Sequence, residues 1–268
     1  MEYILTLSFF LLGLTVGSFL NLVIYRLKKK ESFLFPRSHC LYCNHKLGWG
    51  DLVPVFSFLF LKGKCRYCGK PISIQYPLVE LTTGFIFLLT FNFLSSELIA
   101  GDSYYYFYLL YILCSFSFLI VTFVYDLKHY IIPDKIIYPA ILTSGIWYLM
   151  TGIFFSSYAN HQIFNVIYSC LGASLFFFLI WFFSKGKWLG FGDVKLVFFM
   201  GLFLGFPNIF VSLFLASLIG AIIGLGLIVL KKKKIDSEIP FGPFLVFGTV
   251  VSFFFGENLI NWYFSFML

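Results

Sequence analysis

Charge is what this 268-residue chain has least of: Asp, Glu, Lys and Arg together make up 12% of it, against 60% hydrophobic residues. A chain with so few charges and 39 Phe and 17 Tyr spread along its length cannot cover itself with a hydrated surface. That excludes an ordinary soluble domain and points to an integral membrane protein. No internal repeat and no low-complexity linker stands out, so repeat architectures are set aside. The first apolar stretch also lacks what a cleavable signal peptide needs. Its positive charges, Arg26, Lys28, Lys29 and Lys30, follow the apolar run, and no small-residue cleavage site ends it, so it is expected to stay as a helix.

What the chain does contain is a series of apolar runs of membrane-crossing length, at 3–25, 78–96, 104–125, 132–152, 162–183, 194–206, 208–230 and 240–264. The expected fold is therefore an all-α polytopic membrane protein of about eight transmembrane helices, with a small cytoplasmic zinc-binding loop module. The sixth run is short, and only Gly205-Phe206-Pro207-Asn208 separates it from the seventh. All 19 Lys and Arg residues fall in alternate connections: ten from Arg26 to Lys70, then Lys128 and Lys135, then Lys185, Lys187 and Lys195, then Lys231 to Lys234. The connections near 97–103, 153–161 and 205–208 have none. Under the positive-inside rule the basic loops are expected in the cytoplasm and both termini outside. The run Lys231 to Lys234 reads as part of this orientation signal, and no nucleic-acid partner is expected.

Residues 27–77 are the one sizeable polar insertion. They hold Cys40-Leu41-Tyr42-Cys43 and Cys65-Arg66-Tyr67-Cys68, with 21 residues between the pairs. Two Cys-x-x-Cys turns can bring four thiolates tetrahedrally onto one Zn²⁺, and a cytoplasmic position disfavours disulfides. Four thiolates close the coordination sphere, so the expected zinc is structural, with a redox dithiol or an iron site as the alternative. Asn44 and Gly69 suit the tight turn after each pair. His39 and His45 read as solvated or supporting imidazoles rather than ligands, and Cys114 and Cys170, inside apolar runs, as small apolar residues.

Two carboxylates stand out because each adjoins an apolar run: Asp126, and Asp193 in Gly190-Phe191-Gly192-Asp193-Val194-Lys195. An ionisable group at such a depth costs free energy and is suspected of a function. The alternating topology brings both to one membrane face, within an expected 4 to 8 Å or so, where a pair can share one proton and act as base and acid on a peptide bond. Gly190 and Gly192 would let backbone come close to Asp193. The plain alternative is that these aspartates cap helices and pair with Lys128 and Lys195. It is the preferred reading for Asp134, which follows Pro133 at a helix start. Glu80 is expected either to pair with a lysine or to touch a substrate's positive charge, Asn21 to make an interhelical hydrogen bond, and Glu257 to have no role.

Taken in order, Gly17-Ser18-Phe19-Leu20-Asn21-Leu22-Val23-Ile24-Tyr25-Arg26, the two cysteine pairs, Tyr76-Pro77-Leu78-Val79-Glu80-Leu81-Thr82-Thr83-Gly84, Asp126 with Pro133-Asp134, and the Gly190 to Lys195 motif resemble the type IV prepilin peptidase family over roughly residues 13–250. The resemblance implies a membrane aspartic peptidase that removes the short basic leader of prepilins and pseudopilins after a glycine at the cytoplasmic face, with Asp126 and Asp193 as its catalytic pair. It implies a division into a first helix (1–26), a four-cysteine zinc-binding module (27–77) and a membrane peptidase domain (78–268). Many members also methylate the new N-terminus with S-adenosylmethionine, and the stretch linked to that step corresponds to Gly63-Lys64-Cys65. Lys28 stands where the family usually has proline, and Leu41-Tyr42 replaces a commoner proline-containing pair; both departures lie away from the aspartates. No glycine-rich nucleotide loop after a strand accompanies the methylation reading.

The expected partners are these substrates and membrane lipid, with the substrate's apolar helix held in lipid and its leader charge drawn to Glu80 or Asp51. No sequence signal sets an oligomeric state. A metal transporter would place its ligands at mid-membrane on facing helices, and a non-catalytic zinc-scaffolded assembly protein would not need both aspartates.

Overall fold

The computed structural model describes residues 2–29, 32, 38–230 and 239–267; side chains at 2, 156–162 and 267 are outside the description. Lys30, Arg37 and the Lys231 to Lys234 run fall outside the described residues. The helices are α1 (Glu2–Lys29), a single turn α2 (Phe56–Phe60), α3 (Gln75–Ile99), α4 (Ser103–His129), α5 (Asp134–Phe154), α6 (Ser156–Ser184), α7 (Phe191–Leu204), α8 (Asn208–Val229) and α9 (Gly242–Met267). Among the described residues there is no strand, only two isolated β-bridges.

Seven of these helices are long and apolar enough to cross a membrane. The count expected from sequence therefore resolves into seven full-length helices and α7. The 14 residues of α7 extend only about 21 Å at 1.5 Å per residue, less than the hydrocarbon thickness.

The chain divides into two compact units, Met1–Val121 and Thr122–Leu268. In the first, α1 and α3 lie side by side because glycines let their backbones touch. A Cβ on Gly13 would stand 2.7 Å from Gly84 Cα, and one on Gly17 would stand 2.7 Å from Glu80 Cα. In lipid, where apolar burial gives no drive to associate, such small-residue contacts are what brings helices together. Asn21 fastens the crossing: its amide donates to the Tyr76 carbonyl at 3.0 Å and accepts from Gln75 Nε2 at 3.1 Å, the interhelical bond expected of it. The polar module occupies the connection between the two helices.

In the second unit α7 is the central element, in contact with α5, α6, α8 and α9. Leu196, Val197 and Met200 have no exposed surface. Cys170 is buried where α6 meets Gly201 of α7, so it serves as a small packing residue, while Cys114 is exposed on α4. The non-helical break after α7 is satisfied by one side chain. Asn165 accepts from the Phe206 N–H at 2.6 Å and donates to the Phe206 carbonyl at 2.9 Å. Irregular backbone inside a membrane protein persists only when its polar groups are paired in this way. By contrast α8 leaves Phe210, Phe214, Ile222 and Leu225 exposed, a surface suited to lipid.

Candidate active site and metal centre

The candidate metal centre is built by local turns. After Cys43, Asn44 takes φ +56°, and after Cys68, Gly69 takes φ +67°, the left-handed conformation both positions were expected to need. Around each pair the hydrogen bonds repeat. Cys40 N–H donates to His45 O and Asn44 N–H to Cys40 O; Cys65 N–H donates to Lys70 O and Gly69 N–H to Cys65 O, all at 2.8–2.9 Å. Leu47 to Ser38 and Ile72 to Gly63 close the two turns. The module is thus a duplicated knuckle. In the sequence only the cysteines and the tyrosine inside each pair, Tyr42 and Tyr67, recur as residue types; the rest of the repeat lies in backbone bonds.

The four sulfurs lie within 4.8 Å of one another, and Cys40 Sγ and Cys68 Sγ are 3.8 Å apart. Tetrahedral sulfurs at about 2.3 Å from a central zinc would be about 3.8 Å from each other, so the donor set fits that metal. Burial raises the Cys40 thiol, but N–H groups of Cys43 and Tyr42 and the thiols of Cys65 and Cys43 outweigh it and hold it at about 6. At Cys68 the Lys70 N–H lowers the thiol, while burial and the other three cysteines raise it further, to about 11.

His45 lies against the Tyr67 ring, with centroids 3.6 Å apart, and no histidine belongs to the ligand group. Asp51, expected to face a substrate's charge, is instead an internal tie. Its carboxylate meets Arg66 Nε at 2.7 Å and accepts from Gly48 N–H at 3.1 Å and from the Tyr67 hydroxyl at 3.2 Å, with only 6% of its side chain exposed. Glu80 is buried and bonded to the Val55 N–H at 2.7 Å rather than to the lysine that was one of its two expected partners. Val55 has φ +62°, so the carboxylate holds a strained residue at the start of α2. Gly63 and Lys64 open the second knuckle, Lys64 being bridged to Pro71.

The aspartates belong to the second unit and are set by helix ends distant in sequence. Asp126 is in the last turn of α4, where Tyr130, at φ +58°, reverses the chain and donates to the Asp126 carbonyl at 2.8 Å. The following Ile131-Ile132-Pro133 runs without helix into α5. Ile132 then packs at Gly192 and Gly242, at 3.0 and 3.4 Å from where their Cβ atoms would be. Asp193 sits in the first turn of α7 and accepts from the Gly190 N–H at 3.2 Å. The two carboxylates are near enough for their charges to interact. Asp126 is 4% exposed, and Asp193 half-buried.

One residue of this site escaped the sequence reading. Gly242, the first residue of α9, donates its N–H to the Asp126 carboxylate, and a Cβ there would be 2.5 Å from Asp126 Oδ2. Its signal was weak: a glycine before Pro243 reads as any helix start. Asp134, in the first turn of α5, pairs with Lys195 at 2.6 Å, as the plain reading expected. Lys195 also lies over the Tyr138 and Phe191 rings, at 4.9 and 5.1 Å, and so pins the start of α7 to that of α5. Glu257 is exposed on α9.

Comparison with known proteins finds two family matches in tandem: the bacterial peptidase A24 N-terminal domain over residues 11–94 and the type IV leader peptidase family over residues 112–225. The prepilin leader peptidase/N-methyltransferase of Aeromonas hydrophila is 32% identical, covering 95% of this chain and 92% of its own. The protein of that name from Xanthomonas campestris is also 32% identical, over 95% and 93%. The one from Pseudomonas aeruginosa is 27% identical, over 96% and 92%. No solved structure matches. A match of this identity over nearly the whole length of both chains leaves one assignment: the chain belongs to the type IV leader peptidase family.

Proposed function

We propose that the protein is a membrane aspartic endopeptidase that removes the short basic leader of prepilins or pseudopilins after a glycine, at the cytoplasmic membrane face, with Asp126 and Asp193 as the catalytic pair. The observation that carries this reading is the pairing of two carboxylates from different helix ends, each held by a backbone N–H. Like charges at short range favour a state in which one carboxylate holds a proton. The ionised one takes a proton from water as the water attacks the peptide carbonyl, and the protonated one gives its proton to the carbonyl oxygen. Gly242 and Gly190 orient the carboxylates, so little rearrangement precedes the attack.

Orientation follows from charge. Lys128 and Lys135 flank Asp126, and Lys185, Lys187 and Lys195 flank Asp193, which puts both carboxylates at the face that the positive-inside rule assigns to the cytoplasm. Cys40, Cys43, Cys65 and Cys68 hold structural zinc, which orders the module and leaves no open position for water. The functional division proposed is the first helix (1–26), the module (27–77) and the peptidase domain (78–268). The protein also methylates the new N-terminus with S-adenosylmethionine, as the names of its relatives suggest. With Asp51 and Glu80 engaged internally, substrate affinity comes mainly from the apolar helix of the precursor, since exposed ion pairs contribute about 0–1 kcal/mol each.

The test is a membrane-embedded precursor incubated with purified protein, the product's N-terminus being read by mass spectrometry. Cleavage after glycine with an added methyl group is expected from the native chain, and neither event from Asp126→Asn or Asp193→Asn when uncleaved precursor is supplied. Full cleavage by either variant refutes the catalytic pair.

A further inference from the structure

Between its two cysteine pairs the polar module carries a segment composed like a membrane element, Val53-Pro54-Val55-Phe56-Ser57-Phe58-Leu59-Phe60. Helical bonds join the Ser57 N–H to the Val53 carbonyl and the Leu61 N–H to the Ser57 carbonyl, so Val53, Phe56, Leu59 and Phe60 fall on one arc around α2. All four are exposed, Phe60 by 83%. The opposite arc is occupied. Phe58 packs at Gly63, 3.1 Å from where a Cβ would be, and Ser57, Phe58 and Leu61 line a cavity together with Thr15, Ser18 and Leu22 of α1. Large apolar side chains standing together on the outside of a small polar module mark a surface that something covers.

The level at which α2 sits decides what covers it. Thr15 is near the middle of α1, about 21 Å from its C-terminal end at 1.5 Å per residue, so α2 shares a cavity with a part of α1 that lies within the hydrocarbon. The bond from the Val55 N–H to Glu80 is a second mark of depth. Glu80 stands about 8 Å along α3, whose 25 residues extend about 37 Å and overrun a hydrocarbon core of about 30 Å by only a few ångströms at each end. The start of α2 is therefore tied at or just inside the edge of the core. Around it the module is basic: between residues 38 and 74 Lys46, Lys62, Lys64, Arg66 and Lys70 face a single acid, Asp51. Trp49, just ahead of the segment, is 88% exposed, and indole rings concentrate at the headgroup boundary.

We infer that α2 is an interfacial anchor, which seats the cysteine module on the bilayer with Val53, Phe56, Leu59 and Phe60 among the acyl chains and the module's basic residues toward anionic headgroups. The occupant of the exposed arc is phospholipid, because depth places it beside lipid and charge matches the headgroups. The module is then held in one pose at the membrane surface. This inference is independent of the aspartate chemistry.

The experiment is photocrosslinking of the full-length protein in bilayers of phosphatidylethanolamine and phosphatidylglycerol, with p-benzoylphenylalanine placed in turn at Phe60, Phe56, Ser57 and Leu225, the last being an exposed position on α8. Adducts are identified by mass spectrometry. Phe60 and Phe56 should give phospholipid adducts at about the yield of Leu225 and roughly tenfold above Ser57, which lies on the inner arc. If a labelled variant aggregates, the native chain supplies the answer through a carbene reagent dissolved in the bilayer, which should mark Phe56, Leu59 and Phe60 as heavily as Leu225. Lipid adducts at Phe60 and Phe56 as sparse as at Ser57, or a native α2 left unmarked, overturn the anchor. So do adducts at Phe60 that join two copies of the chain, or that pass from lipid to the apolar helix of an added precursor, since either makes the arc a protein-binding face.

Discussion

The knuckle module and the aspartate site solve the same problem, holding reactive groups in place, by opposite means. In the module the backbone bonds that set Cys40 and Cys65 run to residues five or fewer positions away, and each turn closes within about ten residues. At the aspartates the work is spread over α4, α7 and α9, with Ile132 as the side chain that touches both glycine-lined approaches. Local construction makes the module legible and replaceable. Distributed construction makes the aspartate site depend on how several helices pack.

That contrast can be broken most sharply at the carboxylates. Asp126→Asn and Asp193→Asn should each lower leader cleavage by roughly 10⁴-fold, as for members of a unit acting together, with insertion and zinc content unchanged. Gly242→Ala comes next. Its Cβ would be driven against Asp126 Oδ2, and cleavage should fall by about 10- to 100-fold through kcat, the order expected when a catalytic group shifts by about an ångström. A Gly242→Ala protein cleaving at the native rate would show that packing at α9 does not set the site.

Zinc removal should act more mildly on cleavage. Native protein is expected to carry one zinc per chain by metal analysis, and Cys43→Ser or chelation should expose residues 38–73 to protease while cleavage falls only several-fold. Loss of cleavage as complete as in Asp126→Asn would mean that the module is coupled to the aspartates after all. The smallest effect is expected at Lys195. Replacing it with Met removes the pair with Asp134 and should cost about 1 kcal/mol of stability, measured by thermal unfolding, with cleavage reduced less than tenfold.

How much of this was legible follows from the same contrast. The apolar runs marked every helix but the single turn α2 because length and hydropathy are local properties, and the Cys-x-x-Cys pairs with Asn44 and Gly69 marked the knuckles for the same reason. Asp126 and Asp193 were visible as charges out of place. Gly242 was not, because its importance comes from what a Cβ would strike, which depends on where α9 docks. Glu80 and Asp51 looked available as charges and proved to be engaged, since a sequence does not reveal that the Val55 N–H and the Arg66 guanidinium reach them. The helix count was blurred at α7 because a short helix enclosed by others need not match the bilayer, and the Asn165 bonds to Phe206 allow it to end early.

The bond from Gly242 to Asp126 also has a temporal side. α9 leaves the ribosome after α4 and α7, so until it inserts, Asp126 lacks both its N–H donor and the wall that Gly242 provides. A nascent chain would thus carry both aspartates in an unarmed state, and hydrolytic competence would arrive only with α9. Chains truncated after Leu230 should insert and bind zinc yet leave precursor uncut, and supplying α9 as a separate peptide should restore cutting; activity without α9 would show that the enzyme is armed earlier.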